Sequence, residues 1–268
     1  MQRGIFTIGD LRLSTARIGT GRACLFLHGL CGEAGQPAGV FPHDRGWRCV
    51  TLECRGHGQS DCGDIADLSI RRFADDIAAF AASLDGPPPV IGGISMGAAI
   101  ALRLAVTSPQ MFCGLILARP AWVAKASPDT LAPHRRIAGY LAEYKPEEAR
   151  RRFQDTALAR AIAAESPDNL ASLLGFFDRQ PIDQTRALLG AIGSDGPGVS
   201  RRDIAALAMP TLIIGTDRDM VHPMAMAREL ATLISASQLV QITSKSEHPD
   251  SYVAEFRQAL HGFLKEIA

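Results

Sequence analysis

The chain has 268 residues, 47% hydrophobic and 21% charged, with 28 basic and 28 acidic side chains that cancel to a formal net charge of zero. A sizeable core can be buried, and nothing in the charge balance favours nucleic acid or an anionic membrane surface as a partner. No apolar run is long enough to span a bilayer, and Met1-Gln2-Arg3-Gly4-Ile5-Phe6 lacks the apolar core of a secretory signal, so a cytoplasmic location is expected.

Residues 4–18 alternate weakly around a Gly9-Asp10 turn signal, which predicts an antiparallel hairpin. Ala23-Cys24-Leu25-Phe26-Leu27 is a continuous apolar run of the kind found in central parallel strands, and it ends at His28-Gly29-Leu30. Residues 31–46, rich in Gly and Pro, predict a loop with one short helix. The next strand is Trp47-Arg48-Cys49-Val50-Thr51-Leu52, running into the turn Arg55-Gly56-His57-Gly58. From Ser69 to Leu84, Ile70, Phe73, Ile77, Phe80 and Leu84 share one helical face, with Ser69 as the cap and Asp75 and Asp76 expected outside. The cysteines at 24, 31, 49, 54, 62 and 113 form no C-x-x-C pair and read as reduced, small packing residues.

The stretch with the most chemistry is Gly93-Ile94-Ser95-Met96-Gly97. Pro87-Pro88-Pro89-Val90-Ile91-Gly92 before it predicts a turn and a short buried strand. Ala98 through Val106 predicts an apolar helix stopping near Ser108-Pro109. Strand, sharp turn and helix make the setting in which a serine hydroxyl is lifted above a sheet as a nucleophile. Such a turn leaves room only for small residues two positions before and after the serine, which Gly93 and Gly97 supply.

Another strand is expected over Phe112–Ala118. From Ala121 to about Ile192 strand patterns vanish, and four helices are predicted at 130–144, 146–165, 167–178 and 182–192. Arg135-Arg136 and Arg150-Arg151-Arg152 read as solvated faces, and Phe176-Phe177 as packing between helices. Alternation of strand and helix resumes with Thr211–Gly215, a helix over Pro223–Ile234, a last strand at Leu239–Ile242 and a terminal helix over Tyr252–Ile267.

Through the serine motif, His28-Gly29-Leu30, Glu53 through Ser60 and Gly215 through Pro223, nearly the whole chain resembles the α/β-hydrolases. The resemblance implies an α/β fold, a mainly parallel, doubly wound sheet. The core would be 1–120 and 193–268, and the block of helices at 121–192, lying between two strands, reads as an inserted cap over the serine, with a mainly apolar pocket beneath it whose polar groups concentrate near Ser95. It also implies a triad in chain order serine, acid, histidine. Asp219 stands four positions before Pro223, the family spacing for the acid, and Asp217 would cap the turn instead. His248 follows the last strand and is the expected base, although it follows Ser246-Glu247 where the family has a glycine. His222 lies beside Asp219 before a proline, His261 falls inside the terminal helix, and His43 and His134 have no motif context. The oxyanion hole would be the backbone N–H groups of Leu30 and Met96, with His28 and the turn at 55–58 structural.

The expected function is a serine hydrolase that cleaves an ester, lactone or thioester of a small, partly apolar molecule through Ser95, His248 and Asp219. It would need no metal or organic cofactor. The rival is a ligand-sensing or signalling protein on the same fold with little turnover, or an acyltransferase, lyase or perhydrolase. The oligomeric state is left open.

Overall fold

The computed structural model describes residues 1–42 and 46–267; His43 lies outside the described residues. Gly9, at φ 56°, makes the turn of a hairpin in which β1 (Gln2–Ile8) pairs antiparallel with β2 (Leu11–Gly19). The continuous apolar runs become strands buried from both sides: β3 (Arg22–Leu27), β4 (Trp47–Leu52), β5 (Val90–Ile94), β6 (Gly114–Ala118) and β7 (Thr211–Thr216). With the edge strand β8 (Ser237–Ile242) they form one sheet of order β1-β2-β4-β3-β5-β6-β7-β8. All pairs from β4 to β8 are parallel, and β2 runs antiparallel to β4.

Helices cover both faces. On one face pack α2 (Ile70–Ala82), α3 (Met96–Thr107) and α10 (Met224–Leu233). On the other lie α1 (Gly35–Val40) and α11 (Pro249–Glu266). Ser69 caps α2 as its sequence predicts, its hydroxyl accepting the Arg72 N–H at 3.1 Å. Ile70, Phe73, Ile77 and Phe80 are buried along one stripe, each stabilising the packing by about 1.5–3 kcal/mol. Asp76 departs from expectation. It is 4% exposed and takes Arg55 Nε and Nη2 at 2.6 and 2.9 Å, because the turn at 55–58 brings a guanidinium down onto the helix. The pair fastens that turn to α2.

Between β6 and β7 stand α4 (Ala132–Glu143), α5 (Pro146–Gln154), α6 (Ala157–Glu165), α7 (Pro167–Gly175) and α8 (Ile182–Ser194). The single helix predicted over 146–165 is two. Thr156 breaks it by accepting the Ala159 N–H on its side chain at 3.0 Å, a competing bond that favours a helix start over a helix interior. A short α9 (Arg201–Ala205), capped reciprocally by Ser200 and Asp203, follows. The inserted helices share an apolar centre of their own, which includes Ile137, Phe153, Ile162, Leu173, Phe177 and Leu189. Where the chain leaves the sheet and returns to it, Trp122 Nε1–H donates to the Asp195 carbonyl at 2.9 Å, so the two ends of the insertion are joined.

Strand order reverses between β3 and β5: the chain passes outward from β3 to β4, then crosses back to β5. Ligands in open α/β sheets bind beyond the strand ends at such a point. The carboxyl ends of β3 and β5 carry His28-Gly29 and Ser95. No helix among the described residues is long and apolar enough to cross a membrane.

Candidate active site

Ser95 sits between β5 and α3 with φ 55° and ψ −109°, a conformation a side-chain-bearing residue adopts only when its surroundings enforce it. Its backbone N–H is tied to the Ala118 carbonyl at 3.0 Å. The two flanking glycines are required by space. A Cβ on Gly93 would fall 2.6 Å from the carbonyl carbon of Gly97, and one on Gly97 would fall 2.6 Å from the Leu27 carbonyl oxygen. The elbow therefore holds α3 against β3 and β5 at a distance no larger residue permits.

His28 is fully buried and both ring nitrogens are engaged. Nδ1 lies 2.8 Å from the Gly29 carbonyl, and Nε2 accepts the Cys54 N–H at 3.0 Å. It shapes the loop beyond β3 and is not placed to carry protons. Glu53, also fully buried, accepts from the N–H groups of Ala34 and Gln59 and from Arg3, which joins the loop after β3 to the turn at 55–58. Burial alone would raise the Glu53 carboxyl, but these hydrogen bonds outweigh it and hold it below its ordinary range. Gly58, at φ 54°, leaves room for that carboxylate: a Cβ there would stand 2.2 Å from it. Burial pushes the Cys31 thiol up to about 12 and Cys54 higher still, so neither is a nucleophile at neutral pH.

Asp219 lies in the loop after β7 with 3% of its side chain exposed. Its Oδ1 accepts the backbone N–H of His222 at 2.9 Å, and His222 Nδ1 stands 2.9 and 3.1 Å from the two carboxylate oxygens. Arg119, immediately after β6, donates Nε–H to Oδ2 at 2.8 Å and brings Nη2 to 2.6 Å from the same atom. Burial would raise the Asp219 carboxyl; the neighbouring His222 and Arg119 prevail and hold it well below the usual carboxylate range. Burial is also the main influence on His222 and lowers its basicity, with Asp219 opposing and Arg119 reinforcing.

The expected partner of Asp219 is elsewhere. His248 is exposed at the start of α11, and the contact expected of it is made by His222. His222 and Arg119 together occupy both of Asp219's oxygens, close to the roughly four acceptor positions a carboxylate has. Asp217 is exposed and bonds Gln241 of β8 rather than capping its own turn.

Ser95, His222 and Arg119 line one cavity of about 110 Å3 together with Leu30, His134 and Phe176. The inserted helices also contribute Asn169, Ser172 and Leu173, so the wall facing the serine mixes polar and apolar side chains. His134, on α4, is 6% exposed, its ring 5.6 Å from that of Phe176, and its Nδ1 is buried without a hydrogen-bond partner. Burial, helped by His222 and Arg135, pushes its pKa down to about 3, so it is neutral. The phenylalanine pair divides: Phe177 packs on Phe153 inside the insertion, while Phe176 reaches the cavity.

The sequence model of the α/β hydrolase fold family matches residues 23–166, more than half the chain, and spans the elbow and the first three of the inserted helices α4 to α8. The chain belongs to the α/β hydrolase fold family. Within that family it is 27% identical over 273 residues to the AB hydrolase superfamily protein YisY of Bacillus subtilis, covering 89% of this chain and 92% of that protein. Two solved structures share the fold. An α/β hydrolase enzyme from a Medee basin deep-sea metagenome library superposes with a TM-score of 0.76 at 20% identity, covering 98% of this chain and 97% of its own. A thermophilic esterase from Thermogutta terrifontis gives 0.72 at 23% identity, covering 100% and 99%.

In the sequence His222 stands beside Asp219, but the chain order of the family points past it to a histidine after the last strand. Arg119 was missed altogether. The one readable signal for it was an arginine directly after the apolar run of β6, at a strand end where the fold places ligands.

Proposed function

We propose that this protein is a serine hydrolase that cleaves an ester, lactone or thioester of a small molecule, with Ser95 as nucleophile, His222 as base and Asp219 as the orienting acid. The observation that carries the reading is one cavity holding both a strained, elbow-borne serine and a histidine bound to a buried carboxylate. An ionised carboxylate only accepts, so His222 Nδ1 carries the proton toward Asp219 and Nε2 keeps its lone pair. Nε2 would take the Ser95 proton as the hydroxyl attacks the substrate carbonyl. It would return that proton to the leaving alcohol or thiol, then activate water to release the acid.

The backbone N–H groups of Leu30 and Met96 would receive the charge that develops on the carbonyl oxygen. Met96 is the first residue of α3, where N–H groups have no partner within the helix and the dipole favours negative charge. The Gly29 N–H is already given to Gln36 Oε1 at 2.6 Å, which leaves the next residue for this role. Each such donor lowers the barrier by about 3 kcal/mol.

In this proposal residues 1–120 and 193–268 supply the chemistry, and residues 121–192 form the cap that limits the substrate. The small cavity, about 110 Å3, supports a short acyl group over a long-chain one, because ligand clefts are ordinarily about 300–1,000 Å3. The Thermogutta protein's description as an esterase agrees with this reading. A fluorophosphonate should label the protein once, at Ser95. Ser95→Ala should remove both the label and the hydrolysis of p-nitrophenyl acetate without unfolding the chain. Labelling elsewhere, or complete resistance to the reagent, would sink the assignment. Labelling with only a single turnover would favour the ligand-sensing alternative, which the occupation of Asp219 by Arg119 makes worth testing.

A further inference from the structure

Arg119 is tied from three directions. Its own backbone is in the left-handed region, at φ 46°, and its N–H donates to the Ile214 carbonyl at 2.7 Å, locking the residue between β6 and β7. Its guanidinium lies 5.8 Å from the ring centre of Tyr252 on α11. Its fork ends on a single oxygen of Asp219, with 12% of the arginine side chain and 3% of the aspartate exposed. A positive charge is thus fixed against the same carboxylate that His222 contacts. Structure alone does not require this. Asp219 already holds the loop through the His222 N–H, and Ser166 and Asn169 hold it from the insertion.

We propose that Arg119 is a positioning residue that shares the Asp219 carboxylate with His222 and thereby sets the pH at which His222 becomes available as a base. The inference rests on the reading of Ser95 and His222 given above. A carboxylate engaged by a guanidinium gives less of its charge to a neighbouring imidazolium. Protonated His222 is therefore disfavoured, and the base stays free into mildly acidic solution. The groups facing His222 are Asp219 on its own loop, Arg119 after β6, Asp168 on α7 and His134 on α4. The two acids favour the protonated ring, the arginine opposes it, and His134, neutral, contributes little charge. Arg119 is the fixed positive charge in this group.

The test is a pH profile of kcat/KM for p-nitrophenyl acetate in Arg119→Gln, which keeps a donor toward Asp219 and removes the charge, and in Arg119→Lys, which keeps the charge and loses the fork. The acidic limb reports the free enzyme's base. In Arg119→Gln it should move up by about one pH unit, because losing a nearby positive charge raises the His222 pKa. In Arg119→Lys the limb should stay put while kcat falls. A limb unmoved in Arg119→Gln, with turnover reduced equally at every pH, overturns the proposal and leaves Arg119 a merely structural part. Arg119→Met is the second neutral variant should the glutamine fail to fold.

An NMR titration of the His222 ring, in a Ser95→Ala background with and without Arg119→Gln, reads the coupling without turnover. An upward shift there supports the charge coupling even if the hydrolase reading fails, and no shift overturns it even if that reading holds.

Discussion

Two loops at the carboxyl edge of the sheet were candidates to complete the site, and they differ in what holds them. The loop after β7 is bound from above and below. Ser166 Oγ–H donates to the Arg218 carbonyl at 2.7 Å and accepts the Met220 N–H at 3.1 Å, and Asn169 Oδ1 accepts the Val221 N–H at 3.0 Å. Both partners come from the inserted helices and are buried, at 0% and 4% exposure. The loop after β8 is largely exposed. Its first part is held, Thr243 by Glu255 of α11 and Ser246 by Asp168 of α7, but beyond Ser246 Glu247 meets Arg218 only in a pair about half in solvent, the kind that contributes little, and His248 is outside. Preorganisation separates the two histidines: the ring of His222 is held on Asp219, whereas His248 is exposed.

Swapping the two histidines tests the contrast most strongly. His222→Gln should lower kcat by about 10⁶, the loss seen when a hydrolase base is removed, whereas His248→Gln should stay within about twofold, as expected of a residue that touches nothing reacting. Equal losses in steady-state assays would return His248 to the site.

The two aspartates give the next effect. Asp219→Asn should cost about 10⁴ in kcat through the wrong imidazole tautomer. It should also destabilise the fold by about 3 kcal/mol, because Arg119 would be left buried and unpaired. Asp217→Asn, at an exposed position, should alter neither turnover nor urea midpoint by more than about 0.5 kcal/mol. A smaller loss is expected from the braces. Asn169→Leu strands the Val221 N–H and should cost about 1–3 kcal/mol, with turnover falling as the loop loosens; unchanged thermal melting would mean that the loop holds itself.

The smallest effect is on stability against pH. Burial lowers His28, His57, His134 and His222 from their ordinary value near 6.5. Below about 6.5 the unfolded chain takes up protons that the folded protein refuses, so stability is complete above that pH and drains as pH falls. The limiting slope is about 1.4 kcal/mol per pH unit for each histidine. For His134 the drain continues to about 3. His134→Phe should make denaturant midpoints between pH 6.5 and 5 less steep by one proton's worth, and an identical slope would show that the ring is protonated in the folded state.

Local chemistry made much of this protein readable in advance. Continuous apolar runs announced the parallel strands, because a strand covered on both faces has no polar side to alternate with. The elbow was legible because two glycines around a serine, between a strand and a helix, answer a steric demand set within a few residues. The spacing to Pro223 singled out Asp219, whose carboxylate the structure buries against His222 and Arg119. The break at Thr156 was not legible, because a threonine in a helical pattern can cap or continue and only its bond to Ala159 decides. The buried Asp76 and the engagement of Asp219 by Arg119 were hidden for a deeper reason: each depends on a guanidinium arriving from a distant part of the chain. Chain order can rank histidines by precedent. Which imidazole meets the carboxylate is decided by how the loop after β7 is folded: His222 stands only three positions from Asp219, but the bonds from Ser166 and Asn169 that hold this loop come from residues 52 positions away, which nothing local to His222 encodes.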